Sequence, residues 1–136
     1  MILIDGQVLV AQVVGQHAFL PGGHVKIGES AEVALLRELR EEIGVGARIA
    51  SYLGAIELTY DEHHEMSHFF HVTSTELAKG HDPVSREAHL RFFWADVEDL
   101  GKLDVLPRPV QKLVPQFTRG DLRPWWATEI GGGIVS

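Results

Sequence analysis

Three glutamates, Glu38, Glu41 and Glu42, fall within two turns of a helical pattern in the stretch GGHVKIGESAEVALLRELREEIGV, residues 22–45. Like charges three and four residues apart weaken an isolated helix by roughly 0.2–0.5 kcal/mol per pair. With each residue advancing about 100° around the axis, these carboxylates gather on one flank together with Ala31 and Ala34. Leu35, Leu36, Leu39 and Ile43 form the face expected to be buried, and Arg37 and Arg40 lie mostly opposite the acidic flank. Arg37 can still reach Glu41 one turn on. Converging carboxylates suit a hard divalent cation, and Mg²⁺ typically takes one or two of them plus substrate phosphate. They equally suit a solvated acidic face, and helix geometry alone leaves both readings open.

The loop ahead of the helix needs its own decision. Gly23 and Gly28 have the G-x-x-x-x-G spacing of a phosphate-cradling P-loop, in which a lysine comes next and reaches the phosphates. Here the next residue is Glu29, of opposite charge, so the P-loop reading fails.

The elements that must position these groups follow from turn and periodicity signals. Asp5-Gly6 between apolar runs at 1–4 and 8–14 predicts a β-hairpin. Residues 18–20 are a short apolar stretch broken by Pro21-Gly22-Gly23. Ser30 is a good N-cap for a helix from Ala31 to Ile43, and Gly44 sits where a left-handed C-cap belongs. Residues 48–60 and 66–75 read as strands joined by an acidic, His-rich turn at 61–65. A loop at 76–86 leads to a strand at 90–95. Beyond Pro107, Val110, Leu113, Val114 and Phe117 recur at helical spacing, and Trp125-Trp126 can extend a sheet edge. Interspersed strands and helices predict an α/β sandwich with a mixed sheet. Residues 1–130 are expected to form a single domain and 131–136 a loose tail.

Bulk composition narrows the function. The chain has 136 residues, a formal net charge of −7 and no cysteine, so disulfides and thiolate chemistry are excluded. Without a basic cluster a general nucleic-acid binder is not expected, although a bound cation could still bring a phosphate-bearing molecule to an acidic chain. No apolar run approaches the eighteen or so residues that span a bilayer, and the opening residues lack a signal-peptide pattern. Cytoplasm is the expected compartment, with no membrane partner. Eight histidines invite a zinc hypothesis, but His63, His64, His68 and His71 match no zinc spacing.

Residues 22–45 resemble the signature of the Nudix hydrolases, G-x5-E-x7-R-E-U-x-E-E-x-G-U, where U is a bulky aliphatic residue. Gly23, Glu29, Arg37, Glu38, Leu39, Glu41, Glu42, Gly44 and Val45 fill every fixed position. From average residue frequencies, such a match at a given start arises by chance about once in a billion. The resemblance implies a Nudix-type α/β/α sandwich and a metal-dependent pyrophosphohydrolase, using Mg²⁺ or Mn²⁺ on a nucleoside diphosphate linked to another moiety. It implies Glu38, Glu41, Glu42 and the Gly23 carbonyl as metal ligands, with Glu29 and Arg37 holding the ligands in place. Glu41, Glu42 and Arg37 are thereby catalytic candidates.

The general base often lies outside the signature in this family, and Glu87, ahead of the strand at 90–95, is the candidate here. Lys26, Arg86 and His89 are the candidates for substrate binding. The alternative is a non-catalytic Nudix-fold module that binds or senses nucleotides, although such modules tend to lose signature glutamates and none is lost here. Marker strings for NADH and coenzyme A subgroups are absent, so a nucleoside triphosphate or another compact nucleotide is the expected substrate, bound by a monomer or homodimer. Compared with the family's usual first strand and following basic residues, the start of the chain reads as truncated.

Overall fold

Asp5 and Gly6 both hold positive φ (46° and 79°), the geometry of a two-residue hairpin turn whose twist matches that of its strands. The turn joins β1 (Leu3–Ile4) to β2 (Gln7–Val13) in this computed structural model, which describes residues 1–130. The tail expected at 131–136 lies outside the described residues.

The first sheet is organised around β2. Along its whole length β2 pairs antiparallel with β6 (Leu90–Asp96), from Gln7 opposite Asp96 to Val13 opposite Leu90. On its other edge it meets β1 and then β3 (Ala18–Phe19), and β3 pairs parallel with β7 (Val105–Leu106). Side chains alternate across a strand, so β2 feeds two cores. Val8 and Val10 pack with Val110, Leu113 and Val114 of α2 (Val110–Thr118). Leu9 and Ala11 pack with Leu39 and Ile43 of α1 (Ala31–Ile43). The sheet therefore lies between the two helices, the α/β/α order expected.

The second sheet has the order β5-β4-β8. The strands β4 (Arg48–Tyr60) and β5 (His63–Thr73) are antiparallel, while β8 (Trp125–Thr128) runs parallel to β4. A bridge between Ile2 and Val72 ties the two sheets together. The expected mixed pairing is present, divided between two sheets. The expected turn at 61–65 is corrected. Asp61 and Glu62 alone make it, both with positive φ (45° and 64°), and His63, His64 and Glu65 belong to β5. Trp125 is buried against Phe69, and Trp126 is half exposed on the opposite face. Among the described residues no helix is long and apolar enough to cross a membrane.

Both expected caps of α1 are present. Ser30 Oγ accepts the Val33 N–H at 3.2 Å, and Gly44, at φ 71°, donates its N–H to the Arg40 carbonyl at 3.0 Å. The buried side of α1 is rotated from the expected one: it comprises Ala34, Leu39, Glu42 and Ile43, while Leu35 and Leu36 are only half buried. The cause is the segment before β6, which lies along the Glu42 flank and donates the Arg86 N–H to the Glu42 carbonyl at 2.7 Å.

Candidate active site

The loop of residues 20–29 is closed by one carboxylate. Glu29 Oε1 accepts the Lys26 backbone N–H at 3.0 Å, forming a local turn. The same carboxylate takes two bonds from Arg37, Nε to Oε2 at 2.7 Å and Nη2 to Oε1 at 3.1 Å. A guanidinium has five N–H donors in a fixed fork, and Arg37 employs all of them. Its remaining bonds run from Nη2 to the His24 carbonyl (3.2 Å) and from Nη1 to Glu38 Oε1 and Glu41 Oε2 (3.0 Å each). The bonds from Arg37, and then the Lys26 N–H, hold the Glu29 carboxyl down at about 2, and the same bonds hold the Arg37 guanidinium above its ordinary range. The clamp stays fully ionised at neutral pH.

Gly23 stands directly over the next carboxylate. A Cβ at this position would fall 2.5 Å from Glu38 Cδ, so any side chain here would displace Glu38. The signature glycine thus brings a backbone segment against a ligand candidate.

Glu42 has the opposite environment from Glu29. It is 6% exposed, and its Oε2 has no hydrogen-bond partner among the described residues. Burial raises its pKa to about 8, and Glu38, Glu87 and Glu41 add to the rise. Leaving a buried carboxylate oxygen unpaired is costly, and native chains keep such groups mainly at functional sites.

Glu87 arrives from the connection before β6. Ser85 Oγ accepts the Glu87 N–H at 3.1 Å and donates to the Glu87 carbonyl at 2.8 Å, while the Glu87 carboxylate lies 3.5 Å from His89 Nε2. The Arg86 guanidinium packs on Gly44, in space that a Cβ there would fill. Lys26 is exposed on the Glu29 loop. The structure therefore brings Gly23, Glu29, Arg37, Glu38, Glu41, Glu42 and Glu87 together, with His89 beside Glu87.

The remaining histidines go elsewhere. His68 Nδ1 is 2.8 Å from Tyr52 Oη, His64 is 3.1 Å from Glu57, and His71 sits half buried at the edge of the Phe117 ring. Burial lowers the His71 pKa. Two concavities, one between α2 and residues 121–126 and one against β6, contain none of the clustered carboxylates.

The donor chemistry fits a hard divalent cation. Carboxylate and carbonyl oxygens are what Mg²⁺ and Mn²⁺ prefer, and the unpartnered Glu42 oxygen is a buried acceptor without a donor. Among the described residues no three acidic or histidine side chains already stand as a finished ligand set, and Arg37 engages one oxygen each of Glu38 and Glu41. Pattern reading did not reveal the burial of Glu42 or the docking of Arg86. The one sequence signal for the latter is Gly44, which the left-handed cap already explains.

Comparison with known proteins agrees with this geometry. Residues 1–117 match the family model described as the NUDIX domain. The CTP pyrophosphohydrolase of Escherichia coli (strain K12) is 27% identical over 114 residues, covering 80% of this chain and 81% of that protein. An RNA pyrophosphohydrolase of Sodalis glossinidius (strain morsitans) is 48% identical over 46 residues, which is 33% of this chain. The chain spans 26% of that relative's length. A solved NUDIX hydrolase from Nitrosomonas europaea shares the fold with a TM-score of 0.72 at 17% identity, covering 90% of this chain and 87% of that one. With a signature complete in every fixed position and a family match over most of its length, the chain belongs to the Nudix hydrolase family.

Proposed function

We propose that this chain is a metal-dependent pyrophosphohydrolase that cleaves a nucleoside diphosphate linked to another moiety, by attack of water on phosphorus. The observation that carries the reading is the buried, unpartnered oxygen of Glu42 among three further carboxylates. Glu38, Glu41, Glu42 and the Gly23 carbonyl would hold Mg²⁺ or Mn²⁺. When bound, the cation neutralises anionic phosphate oxygens and aligns the water. Arg37 and Glu29 fix where Glu38 and Glu41 stand. Glu87 takes the proton of the attacking water, a role that needs a carboxylate close to that water. His89, beside Glu87, and the exposed Lys26 would contact substrate phosphates.

A compact nucleotide is the substrate class, and the resemblance to a CTP pyrophosphohydrolase over four-fifths of both chains makes nucleoside triphosphates the first to test. The protein acts in the cytoplasm on a free nucleotide, as a monomer or homodimer, without a nucleic-acid or membrane partner.

The test is release of phosphate or pyrophosphate from nucleoside triphosphates, sugar nucleotides, ADP-ribose and dinucleoside polyphosphates, with Mg²⁺, with Mn²⁺ and with EDTA. Turnover of one class that EDTA abolishes is the expected result. Silence across the panel from folded protein that still binds Mg²⁺ would overturn it in favour of a binding module.

A further inference from the structure

We infer that Arg86 is a positioning residue: it straps the segment carrying Glu87 onto the C-terminal end of α1 and so sets where the Glu87 carboxylate stands. The inference rests on the reading of Glu87 as the base that activates water.

Residues 74–89, between β5 and β6, contain no helix or strand, so their path depends on individual anchors. Both ends of the connection are anchored at the end of α1 and the turn that follows it. At the first end, Ser74 Oγ donates to the Gly46 carbonyl at 2.6 Å and Glu76 Oε2 accepts the Gly46 N–H at 2.7 Å. At the second, the Arg86 N–H donates to the Glu42 carbonyl at 2.7 Å. That carbonyl is one of the last four of α1, which have no partner within the helix. The same residue lays its guanidinium on Gly44, where only the absence of a Cβ makes room. Ser85 then ties the main chain of Glu87 by two bonds. From the anchor at Glu42, Glu87 is one residue away.

The guanidinium of Arg86 makes no ion pair and no side-chain hydrogen bond among the described residues, so packing and place account for it. A positive charge at a helix C-terminus is favourable, and a flat guanidinium can lie on the bare face of a glycine. Lysine carries the charge but not the plane.

The experiment compares Arg86→Ala, Arg86→Lys, Glu87→Gln and the double variant Arg86→Ala/Glu87→Gln. Two readouts are taken: kcat and KM on CTP with Mg²⁺, and amide hydrogen exchange of residues 84–90 in metal-free protein. In Arg86→Ala, exchange of the Arg86 and Glu87 amides should rise while that of α1 stays unchanged. Turnover should fall on the order of 100-fold with KM little changed, the cost of a misplaced catalytic group. Arg86→Lys should rescue little of it. The double variant should be no slower than Glu87→Gln, because residues acting through one another are not additive.

A raised KM with normal kcat in Arg86→Ala would overturn the proposal and make Arg86 a phosphate contact. Unchanged exchange at residues 84–90 would overturn it too, whatever the activity on CTP. Normal turnover by Glu87→Gln would instead sink the assignment of the base, and the exchange data would still decide whether the strap exists.

Discussion

Glu29 and Glu42 lie in the same signature, and the fold treats them in opposite ways. Glu29 receives three hydrogen bonds, from Lys26 and Arg37, and is held ionised. Glu42 is buried, has an oxygen without a partner, and is surrounded by other carboxylates that push its pKa up. The N-terminal half of the signature is electrostatically finished, whereas the C-terminal half is left in deficit. Charge that is satisfied within the protein builds geometry. Charge left unsatisfied is a place for something else to bind, and the clamp reaches into the cluster through Arg37, which bonds one oxygen each of Glu38 and Glu41 and leaves Glu42 Oε2 unpaired.

The contrast is broken most severely by removing the deficit. Glu41→Gln and Glu42→Gln should lower turnover on the order of 10³-fold or more, since metal charge stabilisation supplies several kcal/mol, while circular dichroism shows the fold intact. Near-normal rates in both would end the metal assignment. Glu87→Gln should lower kcat by about 10²-fold or more and leave Mg²⁺ affinity, measured by calorimetry, unchanged.

Damage to the finished half acts indirectly. Arg37→Lys keeps a charge but loses the fork, and should weaken Mg²⁺ binding by roughly 10–100-fold, as mutations of groups that orient metal ligands do. Unchanged affinity would show that Glu38 and Glu41 need no clamp.

Stability against pH sharpens the comparison, because the two glutamates have opposite signs. The folded chain holds the Glu42 proton more tightly than the unfolded chain does. In metal-free protein Glu42 therefore contributes stability that is lost as pH rises from about 4.5 toward about 8, while the Met1 amino group, pushed down to about 5 by burial, acts with the opposite sign over much of that window. Glu42→Gln should remove that loss, so the variant's melting temperature gains on that of the wild type as pH rises from 5 to 8. Mg²⁺ should reverse the loss, since the ligand must give up its proton to bind. The contribution of Glu29 is fully present above about 4.5 and lost as pH falls toward about 2. Melting curves in EDTA from pH 2 to 9 for wild type and Glu42→Gln test both limbs, and a difference between the two profiles that does not change from pH 5 to 8 would contradict the burial of Glu42.

The smallest effect is expected at the cap. Gly44→Ala forces a side chain into the left-handed region at a cost of about 1–2 kcal/mol and displaces the Arg86 guanidinium. Denaturant titration reads the first consequence, and exchange at residues 84–90 the second.

What is legible in the sequence is what is local. Asp5-Gly6, Ser30 and Gly44 each announce a turn or cap by residue type, and the signature names its own glutamates. Asp61 and Glu62 do not announce theirs, because non-glycine residues seldom take positive φ and a longer polar turn reads just as well. The third strand of the second sheet depends on β8 reaching β4, a contact whose Thr128–Glu57 bond spans 71 residues. The helical wheel places Glu42 on the flank of the apolar face and leaves its burial undecided, because it knows nothing of the segment that covers it. Residue type shows which groups bear charge; only the packing of residues 74–89 shows which of them is denied a partner.

The pairing of β2 with β6 carries a consequence for how the molecule comes into being. Val13 meets Leu90 across most of the chain's length, and contacts so distant in sequence form slowly compared with local ones. The hairpin and α1 can take shape early, with the signature complete. Glu87 joins it only when β6 locks beside β2. The full acidic cluster is then not a property of the motif alone: it waits on the long-range pairing of β2 with β6.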